Sequence, residues 1–492
     1  MRQGGNIVDA AVAAVAASCV AMPHMTGLGG DLFALLAMQG QAVTAIHASG
    51  AAPENATIQA YRRAGYTRIP TVGGLAAQTP CTPFGLEALY QRWGSLSFSA
   101  LLQPAIHLAQ EGILVGTRLA GSIAARHTEL RDMHVWQRTF CPGGVPLATG
   151  SQLRQPNLAK ALRALADFGA VGFTDSWVGQ DIADSVQADG GWMTQDDLRA
   201  AYAEVVQPLS CHYQGMEVFT QSPVSQGFIL MRALSLLARE NPNGKALWIR
   251  ATQALQQAFG ERLTWLRDDA LSRQTAQQLI QQGLQKPQEP SPVRSLTAHP
   301  GGHTTAMSMI DGEGNAISII HSIYDDFGSG LMGEKSGILL NNRLSAFFLD
   351  TRYANALAPR QRSMHTLHTF IVKDQNGVRW AGGSPGADYQ PQVNLHVLLH
   401  LLAAHRCPDQ AVSKARWSLH PGTSPADVLD PPCIVYEPGV REEQLQALRD
   451  AGYATRALRA RTIGSSKLVG RTPDGVLGAW VDTRRDGAVG AW

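Results

Sequence analysis

Two short β-rich runs flank a pentapeptide of turn formers, and the pairing they impose constrains the rest of the chain. Residues 306–310 and Ala316–Ser322 are separated by Asp311-Gly312-Glu313-Gly314-Asn315. Asp, Gly and Asn in such a cluster close a hairpin. A loop centred on Glu313 pairs Ile310 with Ala316, and extending that register sets Thr304 opposite Ser322. Cross-strand neighbours hold their Cβ atoms roughly 4.5–5.5 Å apart, so the register predicts two hydroxyls side by side. A surface hairpin that merely begins with polar residues would carry the same pattern.

Chemistry separates the two readings. In His303-Thr304-Thr305, the Thr304 hydroxyl can attack the carbonyl of His303 and move the acyl group from nitrogen to oxygen. Hydrolysis of that ester frees the Thr304 α-amine. An α-amine has a pKa of about 7.7–8.0, so it can serve as a base near neutral pH. Hydroxyl and amine then form a compact nucleophile–base pair, and the β-branch of threonine restricts χ1. Residues 282–302 are rich in Gln, Pro, Gly and Ser and read as the mobile loop that a scissile segment needs.

Longer strings carry a resemblance. Thr304-Thr305, the 311–315 turn and Gly333-Glu334-Lys335-Ser336-Gly337-Ile338-Leu339-Leu340-Asn341-Asn342 are similar to the small-subunit start of γ-glutamyltranspeptidases. The string from Gly4 to Val12, the run Gly27-Leu28-Gly29-Gly30-Asp31, Ser222-Pro223-Val224-Ser225-Gln226-Gly227 and Gly383-Ser384-Pro385-Gly386 match that family in order. The matches spread over nearly the whole chain.

The resemblance implies an α+β fold of the N-terminal-nucleophile (Ntn) hydrolase type, an αββα sandwich of two antiparallel sheets between helical layers. It implies a large subunit, 1–303, and a small subunit, 304–492, forming one intertwined domain. Thr304 takes the nucleophile position, Ser322 that of a hydroxyl contacting it, and Gly386 and Ala387 those of two oxyanion-hole amides. The family usually has glycine at the second of these. A backbone N–H is still available from Ala387, so the hole can survive if that residue avoids positive φ. Neither cofactor nor metal is implied. The partners implied are a small amide substrate, the two chains of the precursor itself, and a higher homo-oligomer of that heterodimer.

Departures from the family pattern bear on substrate. γ-Glutamyl enzymes grip the glutamate α-carboxylate with an arginine just before an Ala-Pro pair; here the place reads Ser49-Gly50-Ala51-Ala52-Pro53. Tyr324, Arg343 and Ala346 occupy the positions that hold the α-amine. An arginine there repels an ammonium and attracts a carboxylate. His365-Thr366 replaces a paired-serine position and resembles acylase-like branches. Tyr324, Arg343, His365, Thr366 and Asp388 are therefore the candidate substrate-binding residues, and a small carboxylate-bearing amide such as oxamate is the expected substrate. The alternatives are a γ-glutamyl hydrolase or transferase, a cephalosporin-type acylase, or a non-catalytic binding protein.

Blander readings exist for each. Arg343 is either an ordinary ion-paired arginine or a site residue, and Tyr324 either core or pocket. His365 and His368 tempt a metal reading, but on a strand they point to opposite faces, which favours structural roles. Asp388 either lines the pocket or caps the following helix. Gly382-Gly383-Ser384-Pro385-Gly386 fits G-x-S-x-G, but in that elbow the residue after the serine donates its N–H to the oxyanion, and Pro385 has none.

The chain's 492 residues, 45% hydrophobic and 16% charged, suit a large buried core. A net charge of +2 without a basic block argues against nucleic acid. Six scattered cysteines without a C-x-x-C pair point to a reduced, cytoplasmic setting. Residues 7–22 read as an Ala-rich core helix, too short for a membrane span, started by Asn6 and Asp9 and ended by Pro23. No signal peptide is legible, while the resemblance implies a further segment, with a core strand, before Gly4. Helices are expected over 85–93, 100–111, 157–168, 194–203, 226–239, 247–267, 393–404 and 442–451. A strand is expected over 212–220, strands are expected to dominate from 304 to 393, and a late hairpin over 465–469 and 476–481.

Overall fold

The hairpin with Glu313 at its tip is present in the computed structural model, which describes residues 4–240, 242, 244–282, 304–421, 432–459, 462–472 and 474–491. Ile310 pairs with Ala316 and Thr305 with His321, so the register continues to Thr304 and Ser322. Asp311 shapes the turn: its Oδ1 accepts the amides of Glu313 and Asn315 at 3.0 and 2.9 Å. His303 and 283–302 lie outside the described residues.

That hairpin forms one edge of a five-stranded sheet. The strands are β1 (Asp31–Ala37), β2 (Thr44–Ala48), β3 (Glu204–Val206), β6 (Thr305–Ile310) and β7 (Ala316–Ser322), in the order β3-β2-β1-β7-β6. The second sheet is six-stranded. It comprises β4 (Leu209–Tyr213), β5 (Met216–Thr220), β8 (Thr369–Asp374), β9 (Gly377–Gly383), β10 (Lys467–Arg471) and β11 (Leu477–Val481), in the order β11-β10-β9-β8-β5-β4. Every pairing in both sheets is antiparallel.

The sheets pack face to face through small and β-branched residues: Leu35, Ala45, Ala316, Ile371, Ala381 and Val469 are buried together. Helices Ile7–Ala21, Thr82–Trp93, Phe98–Glu111 and Pro156–Asp175 cover the outer face of the first sheet. Helices Gly227–Glu240, Gly244–Trp265, Ala270–Gln281 and Gln390–Leu398 cover the second. This is the αββα sandwich of the Ntn hydrolases. Area burial of this extent dominates stability.

The first helix begins as its sequence requires. Asn6 accepts from the amides of Val8 and Asp9, and Asp9 accepts in return from the Asn6 amide, a complete capping box. Three expectations need correction. Residues 212–220 are not one strand: Gln214 and Gly215 both have positive φ, the geometry of a tight two-residue turn, and split the run into β4 and β5. The 194–203 helix is only Gln195–Arg199. Strands do not dominate between 304 and 393, because 323–368 is largely irregular. Side chains satisfy part of its backbone: Asn341 Oδ1 accepts the amide of Arg343 at 2.9 Å and Asn342 Oδ1 that of Asp325 at 3.1 Å, while the Nδ2 atoms of both donate to carbonyls of earlier segments, at Gly29, Gln78 and Thr71. Among the described residues no helix is long and apolar enough to cross a membrane.

Candidate active site

Thr304 stands at the start of β6, 2% exposed. Its Oγ1 donates to Ser322 Oγ at 3.2 Å. Ser322 Oγ also accepts the amide of Tyr324 at 2.9 Å, which fixes the serine hydroxyl against the start of the following loop. Tyr324 takes a φ of 81°, so the chain turns sharply as it leaves β7.

Across β7 lies Asp31, in register with Ser322 and fully buried. The two glycines before it permit this approach. A Cβ on Gly30 would sit 2.3 Å from the Ser322 carbonyl oxygen, and one on Gly29 2.0 Å from that of Leu339. Reading 27–30 as close packing near the site agrees with these contacts. Asp31 Oδ2 accepts from Arg343 Nε at 3.3 Å and from His365 Nε2 at 3.0 Å, and Oδ1 accepts the amide of Gly50 at 3.2 Å.

Arg343 is fully buried. Its guanidinium carbon stands 4.1 Å from the centre of the Tyr324 ring, a cation–π distance. One face and the Nε edge are thus occupied. Neither Nη atom has a hydrogen-bond partner among the described residues. Burial pulls the guanidinium's pKa below its ordinary value, and Asp31 opposes that shift. Two unpaired donors on a desolvated cation constitute a fork for a carboxylate. Tyr324 is half-buried.

His365 is buried with both nitrogens engaged. Its Nδ1 accepts the amide of Leu367 at 3.2 Å, so Nε2 carries the proton given to Asp31. Burial first, and Arg343 second, lower its pKa to about 4, which keeps the ring neutral at physiological pH. In the structure its ring holds Asp31. His368 has separate partners, Thr366 O and Asn394 Nδ2.

The loop after β9 brings Gly386 and Ala387, with φ of 136° and 46°. Ala387 thus has the positive φ that the sequence reading required it to avoid. A left-handed alanine costs about 1–2 kcal/mol, and the surroundings hold it there: Gln226 Nε2 donates to the Ala387 carbonyl at 2.8 Å and to that of Thr366 at 2.8 Å. Arg262, also buried, donates to Gln226 Oε1 at 3.0 Å and pairs with Asp388 Oδ1 at 3.2 Å. Asp388 therefore anchors this loop to Arg262. Thr366, Ala387 and Asp388 are half-buried, whereas Gly386 is buried. Ser384 Oγ is tied to Pro385 O and the Ser465 amide, in keeping with a G-x-S-x-G match that is coincidental.

Sequence reasoning missed Asp31, Gln226 and Arg262 as site residues. Asp31 and Gln226 lie within quoted motifs, and an acid directly after Gly29-Gly30 was the available signal. Arg262 lies within a helix with nothing to distinguish it.

The comparisons agree with this geometry. The family model described as Gamma-glutamyltranspeptidase matches residues 1–492. The chain is 31% identical to the glutathione hydrolase-like YwrD proenzyme of Bacillus subtilis (strain 168), over 99% of this chain and 94% of that protein. It is equally 31% identical to the oxamate amidohydrolase proenzyme of Klebsiella pneumoniae subsp. pneumoniae, over 100% of this chain and 95% of that one. Among solved structures, cephalosporin acylase from Bacillus halodurans superposes with a TM-score of 0.85 at 28% identity, covering 100% of this chain and 92% of its own.

Proposed function

The chain belongs to the γ-glutamyltranspeptidase family, and from that premise we propose that it hydrolyses a small amide bearing its own carboxylate, oxamate being the smallest. It is a self-processing Ntn amidohydrolase. We place the scissile bond between His303 and Thr304, giving chains 1–303 and 304–492. Thr304 Oγ attacks the substrate's amide carbon, and its proton passes to the Thr304 α-amine. Ser322 orients the hydroxyl through their 3.2 Å contact. The amides of Gly386 and Ala387 take the oxyanion. Collapse breaks the C–N bond, and ammonia leaves with the proton. Water then attacks the Thr304 ester and releases the dicarboxylate.

The observation that carries the substrate reading is Arg343, a buried cation with both Nη atoms unpaired. The Tyr324 ring covers one face of its guanidinium. A second reading, a broader acylase, is favoured by the match to cephalosporin acylase along the full chain. Ammonia release from oxamate and from glutamine by the processed enzyme tests the choice. Efficient glutamine turnover with inert oxamate would refute the carboxylate reading. We also read the protein as cytoplasmic, which the scattered cysteines, with no C-x-x-C pair among them, support. Its proposed assembly is the heterodimer of its own chains, with a higher oligomer of it as the further proposal.

A further inference from the structure

We propose that Asp31 is a positioning residue that sets the amide specificity of the site by orienting the Arg343 fork. The inference rests on the reading that Arg343 receives the substrate's carboxylate. A guanidinium presents an Nε edge and an Nη edge. Asp31 occupies the first at 3.3 Å and Tyr324 stacks on one face. Only the Nη pair is left for a ligand. If Asp31 took the Nη pair, the fork would be spent; the observed geometry leaves both Nη atoms without a partner among the described residues.

Asp31 is itself fixed on three sides. His365 Nε2–H and Arg343 Nε–H converge on Oδ2, and the Gly50 amide holds Oδ1. Its backbone is in register with Ser322, whose hydroxyl meets Thr304. One strand position therefore relates the nucleophile to the cation. The Gly50 contact matters too. Loop 49–53 lacks the arginine that relatives are expected to carry there, and Asp31 joins this loop to Arg343, which carries a positive charge.

The test compares oxamate with pyruvamide, which has a methyl in place of the carboxylate oxygen. In folded Asp31→Asn, KM for oxamate should rise about 10-fold or more with kcat changed less than about 3-fold, and pyruvamide kinetics should barely move; a charged hydrogen bond lost from alignment is worth a shift of that order. In the Arg343→Gln background, Asp31→Asn should add nothing further, because the two act through one interaction. Parallel losses on both amides, or additive losses in the double variant, overturn the proposal and leave Asp31 merely structural. His365→Gln is the second variant should Asp31→Asn fail to fold. It should shift oxamate selectivity in the same direction by a smaller factor, and unchanged selectivity there overturns the proposal. The underlying reading fails separately: if Arg343→Gln leaves the oxamate-to-pyruvamide ratio unchanged, the carboxylate assignment falls and this inference with it. If Arg343→Gln collapses the ratio and Asp31→Asn does not, only the role of Asp31 falls.

Discussion

Thr304 Oγ1 and Ser322 Oγ face each other at 3.2 Å, at the open end of a hairpin whose far end is closed by Asp311 and Asn315. The hydroxyl pair is a product of strand register, so sliding the hairpin by one residue would send one of them to the opposite face. Removing only the partner is a cleaner probe. Ser322→Ala should lower turnover on the order of 10²–10⁴-fold, the span of positioned proton-transfer groups. Normal turnover in the folded variant would remove Ser322 from the mechanism.

Thr304→Ala should leave one uncut, inactive chain on a denaturing gel, where the wild type gives a larger and a smaller band. N-terminal sequencing of the smaller band should begin at Thr304. An uncut wild type that still turns over substrate would exclude the N-terminal nucleophile.

Arg343→Gln should lower kcat/KM for oxamate about 10- to 150-fold, corresponding to the roughly 1.5–3 kcal/mol of a charge-assisted hydrogen bond. Steady-state kinetics on the processed variant reads it, and an unchanged kcat/KM would show that the cation does not meet the substrate.

Several histidines are buried and neutral. Burial lowers His24 and His365 to about 4, and His321 and His368 to about 3, from an ordinary 6.5. Their folded pKa values are depressed, so the unfolded chain takes up protons first on acidification. The stability they contribute is present above about pH 6.5 and is lost as pH falls toward the folded values. Asp326, raised by burial to about 6, acts in the opposite sense but is one group against four. The unfolding temperature should therefore begin to drop between pH 6.5 and 5, above the ordinary carboxylate range of about 3.9–4.3. A melting temperature flat across that window would contradict the assignment.

Ala387→Gly should relieve the left-handed strain at φ 46° and leave activity intact. A gain of up to about 1 kcal/mol in denaturant unfolding is expected. A loss of stability would mean that Ala387 packing outweighs its backbone cost.

Local features of this fold were legible in the sequence and distant ones were not. The 304–322 hairpin and the Asn6 cap depend on neighbours, so turn chemistry and spacing reveal them. The role of Asp31 depends on Arg343 and His365, 312 and 334 positions away, and no local pattern encodes that meeting. The two-residue turn at Gln214-Gly215 was too short to interrupt an apolar alternation. The irregular 323–368 stretch defied a strand reading because side chains such as Asn341 and Asn342 accept amides of that stretch, those of Arg343 and Asp325, that a ladder would otherwise engage.

Each of the two sheets draws strands from both sides of residue 304: β1, β2 and β3 adjoin β6 and β7 in one, and β4 and β5 adjoin β8 to β11 in the other. Neither fragment can complete a sheet alone, and each would expose a bare strand edge of the kind that aggregates. A peptide bond cut at 304 too early would strand both halves. The proposed cut at Thr304 would therefore follow assembly of both sheets, and a cut chain would be its own certificate of that assembly.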